Sequence, residues 1–335
     1  MKILESSQIR DVDKYTIEHE PIESIDLMER AAMTITRWIG ENISTDKVIK
    51  IFAGPGNNGG DALAIARQLK DHNTEVFLVK ISNKLSPDCQ INLDRLKEMN
   101  VQINTVESSK HFPEIDKSDV VLDGLFGSGL TRKLEGLPGE LVQHINNSGA
   151  HIIAIDIPSG LFGENNQGND LNAIIRAKHT LTFQLPKLSF FLAENEPYVG
   201  DWKVLPIGLD QHFMNSQKSD FYYVDKEFVQ ENLHQRTKFS HKGTYGHVLL
   251  IAGSYGKMGA AILAAKACLR AGSGLVTVHV PKIGYEIIQT ELPEALIRID
   301  WSASLFTNGP DDESFSSVVI GVALGPKQKD RKASS

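Results

Sequence analysis

Short runs of branched aliphatic residues, many followed by a glycine turn and a helical pattern, recur along the first 210 residues. These runs predict buried strands at residues 48–52, 76–81, 120–125, 152–157, 181–184 and 202–207. Helical spacing between them predicts helices at residues 62–69, 91–99 and 137–145. Strands that alternate with helices are typical of a parallel sheet with helices on both faces. The pattern therefore predicts a doubly wound α/β fold.

The rest of the chain suggests a division into two domains. Apolar residues at helical spacing predict two helices in the first 40 residues, and Pro21 separates them. A polar stretch with looser patterning, residues 216–240, is predicted to be a linker. We accordingly assign residues 1–215 to a first domain and residues 241–335 to a second.

The second domain contains few predicted elements. Its patterns indicate strands at residues 248–252, 275–280 and 317–321 and one long helix at residues 260–271. A parallel sheet needs cover on both faces, and so few elements provide little of it. We therefore expect an incomplete α/β domain, with apolar surface uncovered at residues 248–251 and 275–280.

Composition excludes some classes of partner. The net charge of -7 leaves no basic stripe for nucleic acid, and no apolar run is long enough to span a membrane. The opening MKILESSQIR lacks the apolar region of a secretory signal. Cys89 and Cys268 lie far apart without paired spacing, which favours reduced thiols over a disulfide or a metal site. We expect a cytoplasmic protein.

Residues 54–69 carry the strongest local motif, GPGNNGGDALAIARQL, between a predicted strand and a predicted helix. Glycines there let backbone N–H groups approach an anion, and the helix N-terminus adds partial positive charge, as in phosphate sites. The motif is neither GxGxxG nor Walker A, which disfavours kinase and NTPase chemistry. The alternative is a plain glycine turn with left-handed asparagines and Asp61 as a helix cap.

Polar residues also close two later strands. Asp123 ends one apolar strand, and Asp156 ends another with Ser159 close behind. Ligands of an open α/β sheet bind at the carboxyl ends of its strands. A buried aspartate there needs a partner such as a cation or a substrate hydroxyl, although either residue alone could be a turn cap. Asn58, Asp123 and Ser159 offer oxygen ligands only, which suits a hard cation such as K⁺, Na⁺ or Mg²⁺ rather than zinc.

The motifs GPGNNGGDALAIARQL, DGLFGSGL, DIPSGL and TFQLPKLSFF, followed by Gly200, resemble the NAD(P)H-hydrate epimerase family in order and separation. The segment LMERAA, residues 27–32, resembles that family's N-terminal helix. The resemblance extends over residues 1–210. It implies a Rossmann-like fold, interconversion of the R and S epimers of hydrated NADH or NADPH, a bound K⁺ ion and a homodimer or higher homo-oligomer. One departure is Ala62, where the family commonly has a second glycine.

The same resemblance implies roles for individual residues. The K⁺ ligands fall on Asn58, Asp123 and Ser159. The substrate contacts fall on Asn57, Asn58, Gly59, Gly60, Asp61, Gly127, Ser128, Gly129, Leu130, Thr131, Arg132, Lys133 and Asp156. Epimerisation at C6 of the hydrated ring needs the C–O bond to open and to close again on the other face. We predict Asp156 as the acid/base group, since a carboxylate beside that hydroxyl passes the proton each way.

HKGTYGHVLLIAGS and the later GSGLVTV, within residues 241–325, resemble the start of the ADP/ATP-dependent NAD(P)H-hydrate dehydratase, a ribokinase-like family. The resemblance implies ADP or ATP for a complete domain and places Ala260 at a substrate-contacting position. Ala323 stands where that family has a glycine in a GxG turn. The later PHPGE, KG and GTGD segments do not follow, and the ending KQKDRKASS has no counterpart. We expect a truncated domain without dehydratase activity.

Two other functions compete with the isomerase. A non-enzymatic nucleotide-binding or interaction module could use the same fold, but it would not need a carboxylate such as Asp156 at a reacting hydroxyl. An NAD-dependent dehydrogenase is disfavoured, because GxGxxG with a ribose-binding acid about 20 residues later is missing. The residues favour the isomerase.

Overall fold

The computed structural model describes residues 1–82, 84–233, 235–307 and 315–324, and the chain divides into two compact units, Met1–Asn232 and Leu233–Ser335. The strands of the first unit are β1 Val48–Ala53, β2 Asn73–Val79, β3 Ile103–Val106, β4 Val120–Gly124, β5 His151–Ile155, β6 His179–Phe183 and β7 Asp201–Leu205. They form one sheet in the order β3-β2-β1-β4-β5-β6-β7, and the pairings are parallel. The predicted α/β class is confirmed.

Helices cover both faces of this sheet. The helices of the first unit are α1 Ser6–His19, α2 Ser24–Asn42, α3 Asn57–Gln68, α4 Pro87–Glu98, α5 Leu137–Asn147, α6 Glu196–Val199, α7 Gln211–Ser216 and α8 Lys226–Asn232. Alternate residues of β1 face opposite sides, as the period of a strand requires. Ile49 and Ile51 pack in one core with residues of α2, α3 and α4, whereas Phe52 packs in a second core with residues of α5. The two cores hold the sheet between layers of helices.

The strand order reverses between β1 and β4, the usual ligand-binding point of a doubly wound sheet. Glycines allow a close approach of backbone there. A Cβ on Gly54 would lie 1.9 Å from the carbonyl oxygen of Leu125, and one on Gly59 would lie 1.8 Å from that of Gly54. A Cβ on Gly124 would lie 2.5 Å from the Cβ of Ala62, so the alanine at position 62 fits because residue 124 is a glycine.

Part of the predicted linker is bound to the first unit. Lys2 forms an antiparallel bridge with Tyr222, the Tyr223 N–H donates to the Met1 carbonyl at 2.8 Å, and the Ser219 hydroxyl donates to the Ile3 carbonyl at 2.6 Å. Residues 235–239 are exposed. The division into residues 1–215, 216–240 and 241–335 stays a prediction, and these contacts limit any free linker to its later part.

The second unit contains more elements than the sequence predicts. Its strands and helices are β8 His247–Ile251, β9 Leu275–Val280, β10 Leu296–Ile299, β11 Ser317–Ile320, α9 Met258–Arg270 and α10 Gly284–Glu291. The strands form a parallel sheet in the order β10-β9-β8-β11. Neither α10 nor β10 was predicted. Strand β10 is short and has only half-buried or exposed residues, so it lacks the apolar pattern of a buried strand.

The predicted location of exposed apolar surface in this unit was wrong. Leu250, Val276 and Val278 are fully buried, because α9 and α10 pack against them. Exposed apolar residues lie elsewhere in the unit: on β11, Val318 is 46% exposed and Ile320 is 64% exposed, while Leu263 on α9 is 71% exposed and Trp301 after β10 is 90% exposed.

The turn after β11 has an unusual backbone. Val322 has φ of 49° and Ala323 has φ of 64°, in the left-handed region that favours glycine. Ala323 is the residue that departs from the expected glycine. Gly325 and the polar ending at residues 327–335 lie outside the described residues.

The described helices include none long and apolar enough to cross a membrane. Both cysteines are free thiols: Cys89 is buried and Cys268 is half-buried.

Candidate active site

A cavity of about 480 Å³ opens at the carboxyl ends of β1 and β4 in the first unit. Its walls come from the segments after β1, β4 and β5, the end of β6, and α1. The structure brings together at this cavity the predicted substrate residues Asn57, Asn58, Asp61, Gly127, Ser128, Gly129, Leu130 and Asp156.

Other predicted contact residues lie elsewhere. Gly59 and Gly60 are buried inside α3, where they allow close packing. Ala260 lies on α9 in the second unit. Thr131, Arg132 and Lys133 are exposed, and Lys133 pairs with Glu135 at 3.1 Å. The substrate roles of all these residues remain predictions.

The motif GPGNNGGD forms the start of α3 rather than a simple turn. Gly56 is the N-cap in an extended conformation, and the helix begins at Asn57. Asp61 lies inside the helix, so the alternative that made it a cap was wrong. Within the part of the chain that the structure describes, no side chain caps this end of α3. The first-turn N–H groups of a helix lack partners within it, so this end presents donors and partial positive charge beside the cavity.

Asn58 and Ser159 meet at the carbonyl group of Phe126, and Asp123 joins this cluster through Ser159. The Asp123 carboxylate accepts from the Ser159 N–H at 2.8 Å and from the Ser159 hydroxyl at 2.6 Å. The Asn58 amide donates to the Phe126 carbonyl at 2.9 Å, and the Ser159 oxygen lies 3.2 Å from the same carbonyl oxygen. The three predicted ligands therefore form one cluster.

This cluster fits a cation by its chemistry. Asp123 is fully buried, and burial raises its pKa to about 6, although hydrogen bonds from Ser159 and Leu125 oppose the rise. Oδ1 of Asn58 accepts no hydrogen bond from the described residues. A nearby positive charge would offset the cost of burying the Asp123 carboxylate. Oxygen donors with one formal charge suit a hard cation, and the described residues contain no group of three or more His, Cys, Asp or Glu for another metal.

Asp156 presents its two carboxylate oxygens differently. Oδ1 accepts from the Phe183 N–H at 3.1 Å, from the Thr182 hydroxyl at 3.2 Å and from the Lys187 ammonium group. Oδ2 accepts no hydrogen bond within the described part of the chain. Asp156 also has φ of 62°, a conformation that costs energy for a residue other than glycine. One oxygen is thus held in place while the other stays available in the cavity.

Lys187 was not predicted as a site residue. Its side chain is 1% exposed, and its ammonium group donates to Asp156 and, at 2.8 Å, to the Thr182 hydroxyl. A buried lysine is costly without such partners. The signal in the sequence was a lysine inside the apolar segment TFQLPKLSFF.

Arg10 and Asp13 were also missed, and both line the cavity from α1. They lie three residues apart, beside the buried stripe of that helix. Burial, together with the negative charge of Asp156, raises the pKa of Asp13 to about 7, while Lys187 opposes the rise. Burial also raises the pKa of Asp61 well above its usual value, with further contributions from Asp156, Asp13 and Asp88. Three carboxyl groups therefore share one cavity.

Comparisons with known proteins agree with this architecture. Residues 24–189 match the family described as YjeF-related protein N-terminus, and residues 248–334 match the family described as NAD(P)H-hydrate dehydratase. The chain is similar in fold to a crystal structure of yeast ynu0, with a TM-score of 0.55 and 20% identity over 68% of this chain and 98% of that one.

Two curated relatives are both called bifunctional NAD(P)H-hydrate repair enzyme Nnr. The one from Moorella thermoacetica is 33% identical over 84% of this chain and 54% of its own length. The one from Thermofilum pendens is 32% identical over 92% of this chain and 63% of its own length. This chain therefore spans less than two thirds of each. The chain thus carries a YjeF-related N-terminal region followed by an NAD(P)H-hydrate dehydratase region, and over most of its length it is similar to the bifunctional NAD(P)H-hydrate repair enzymes.

Proposed function

We propose that the first unit interconverts the R and S epimers of hydrated NADH and NADPH. The family supports this nicotinamide nucleotide substrate. The observation that carries the proposal is Asp156, with Oδ1 held by three donors and Oδ2 available in the cavity. A module that only binds nucleotides would have no use for a carboxylate in a strained conformation with one uncommitted oxygen.

The substrate would lie between the start of α3 and Asp156. The uncapped end of α3 offers N–H donors to a phosphate group, and Gly127 and Gly129 line the same cavity without side-chain bulk. The hydrated ring would then lie near Asp156. There the carboxylate exchanges a proton with the C6 hydroxyl as the C–O bond opens and closes again.

The direct test starts from each pure epimer of the hydrate. The purified chain is added, and the R and S forms are resolved by chromatography over time. We expect either epimer to approach the same mixture faster than it does without protein. A rate equal to the spontaneous one, with a folded chain, would contradict the proposal.

We further propose that Asn58, Asp123 and Ser159 hold K⁺. The proposal is supported by the hydrogen bonds that link Ser159 to Asp123 and by the position of Asn58 and Ser159 beside the Phe126 carbonyl, and Asp123 is the only formal charge among the three residues. K⁺ would supply positive charge that stabilises the buried carboxylate and the loop carrying Gly127. Exchange of K⁺ for a bulky organic cation should lower the melting temperature, since a ligand of the folded state stabilises it. An unchanged melting temperature would count against this site.

We also propose that these 335 residues alone do not catalyse dehydration with ADP or ATP. Support comes from the turn after β11, where Val322 and Ala323 occupy conformations that suit glycine and Ala323 adds a Cβ. The exposed apolar residues of β11 also indicate a sheet with an uncovered surface. The S hydrate with ATP or ADP should give no increase in absorbance at 340 nm with this chain. Such an increase would overturn the proposal.

A further inference from the structure

Asp13 and Asp156 line one cavity from different elements, and their hydrogen bonding differs. Asp156 follows β5 and accepts three hydrogen bonds at Oδ1. Asp13 lies on α1 and makes no hydrogen bond or ion pair with another described residue. A polar group that faces a cavity without a protein partner is available to a ligand.

The surroundings of Asp13 carry mixed charge. The charged groups that line this part of the first unit are Arg10, Lys14 and Glu18 on α1, Asp61 on α3, Asp88 on α4, Asp156 after β5 and the buried Lys187. Burial and the charge of Asp156 together raise the pKa of Asp13 to about 7. Near neutral pH its carboxyl group therefore exists in both forms, as a proton donor requires.

The reaction proposed above needs both a donor and an acceptor. One carboxylic acid protonates the C6 hydroxyl, the C6–O bond breaks, water leaves, and the electron pair of N1 forms the N1–C6 double bond. Water then attacks C6 from the other face, and the second carboxylate takes the proton. Each turnover moves one proton from the donor to the acceptor. Proton exchange with solvent then restores the starting protonation states of the two carboxyl groups. A single fixed carboxylate does not serve both faces at once.

We propose that Asp13 is the second acid/base carboxyl of this site, acting on the face of the ring opposite to Asp156. The inference rests on the proposed epimerase function and adds a residue to it. Asp156, held by Lys187, is the acceptor in one direction and Asp13 is the donor. The two exchange roles in the reverse direction, as microscopic reversibility requires.

The test compares Asp13→Asn with Asp11→Asn in the full chain. Asp11 is exposed on the same helix, so this control removes a charge from α1 outside the cavity. We expect Asp13→Asn to lower kcat by about 10²–10⁴-fold with little change in KM. It should also remove a limb near pH 7 from the pH profile of kcat/KM. Asp11→Asn should keep both the rate and the limb.

Other results would overturn the assignment. These are an Asp13→Asn rate within about threefold of the control, or a loss confined to KM. A lower rate with the pH limb unchanged would do the same, because a merely structural role predicts that pattern. If the unaltered chain fails to interconvert the epimers, the epimerase proposal itself is wrong. An active unaltered chain with an active Asp13→Asn variant rejects Asp13 alone.

Isotope labelling tests the water step separately. In ¹⁸O-labelled water, each epimerisation by this route places solvent oxygen at C6. Label should enter at the rate of epimerisation, and Asp13→Asn should slow both equally. Epimerisation that retains the original oxygen would contradict the two-carboxyl mechanism.

Discussion

Asp156 combines a left-handed backbone, a buried lysine partner and an uncommitted carboxylate oxygen at one residue. The positive φ turns its side chain at the end of β5, where Thr182, Phe183 and Lys187 determine the position of Oδ1. The conformational cost is offset by these three hydrogen bonds, one of them from a charged group. The arrangement is preorganised, so little movement is needed when a substrate binds.

Asp156→Asn should therefore abolish catalysis and keep the fold. Asparagine is nearly isosteric and still accepts at one oxygen, but it exchanges no proton at pH 7. We expect the epimerisation rate to fall by about 10²–10⁴-fold. The measurement is the rate of approach to the epimer mixture, with circular dichroism to follow folding. Asp71→Asn, at an exposed loop position, is the matched control. A rate within about threefold of that control would remove Asp156 from the acid/base role.

Asp13 also makes stability depend on pH. Its pKa is about 7 in the folded chain and near 3.8 when unfolded, so the folded state holds the extra proton between these values. Stability therefore decreases as pH rises through this window, because the unfolded chain releases this proton at a lower pH than the folded chain does. Asp13→Asn removes this loss of stability. The melting temperature of the variant minus that of the unaltered chain should therefore increase from pH 4 to pH 8. A constant difference over that range would show that Asp13 does not titrate in this way.

At the scale of elements, the site depends on how closely α3 approaches β1 and β4. Gly54 and Gly59 have no room for a Cβ, because backbone carbonyl oxygens lie within 2 Å of the positions it would take. The same approach brings Asn58 to the Phe126 carbonyl. The candidate cation cluster therefore depends on the same close packing of α3 against the sheet.

Gly59→Ala should destabilise the first unit. The added methyl would overlap the Gly54 carbonyl oxygen, and backbone must move to relieve it, at a cost of about 1–3 kcal/mol or more. Gly40→Ala is the control, since Gly40 lies in α2 with nothing within 4 Å of a new Cβ. That change should stabilise by about 0.5–1 kcal/mol. Denaturant midpoints measure both, and equal effects of the two substitutions would contradict the packing argument.

At the scale of the whole molecule, the two units differ in how well they are covered. The first buries its sheet between two cores, whereas β11 at one edge of the second sheet exposes apolar side chains. Exposed sheet edges of this kind favour association with other chains. The homo-oligomer implied by the family resemblance stays a prediction, and light scattering of the purified chain would measure it.

Limited proteolysis should cut between the units. Arg236 and Lys238 lie in the exposed stretch that begins the second unit, while Lys218 lies in a segment tied to the N-terminus. Proteases cleave exposed, weakly held backbone first. Mass spectrometry of early tryptic fragments should show cleavage after Arg236 or Lys238 and a surviving core from the first unit. Initial cleavage after Lys218 would show that residues 216–225 are not held as described.

The sequence by itself was sufficient for the α/β class and for most of the strands and helices, because hydrophobic periodicity and glycine turns are local signals. It also placed Asn58, Asp123 and Ser159 together. Parallel strands end at a common edge, so residues that follow β1, β4 and β5 must lie near one another. What it missed locally were short elements with little burial: β3 has one buried residue and β10 has none.

Only the tertiary structure could decide the remaining residues of the site. Asp13 and Asp156 are more than 140 positions apart, and no local pattern connects a residue of the first helix with the end of β5. The burial of Lys187 against Asp156 likewise depends on how the segment after β6 folds back over the sheet. Contacts of this kind arise from packing among elements that are distant in the chain. The raised pKa of Asp13 likewise comes mainly from burial, which local sequence patterns do not reveal.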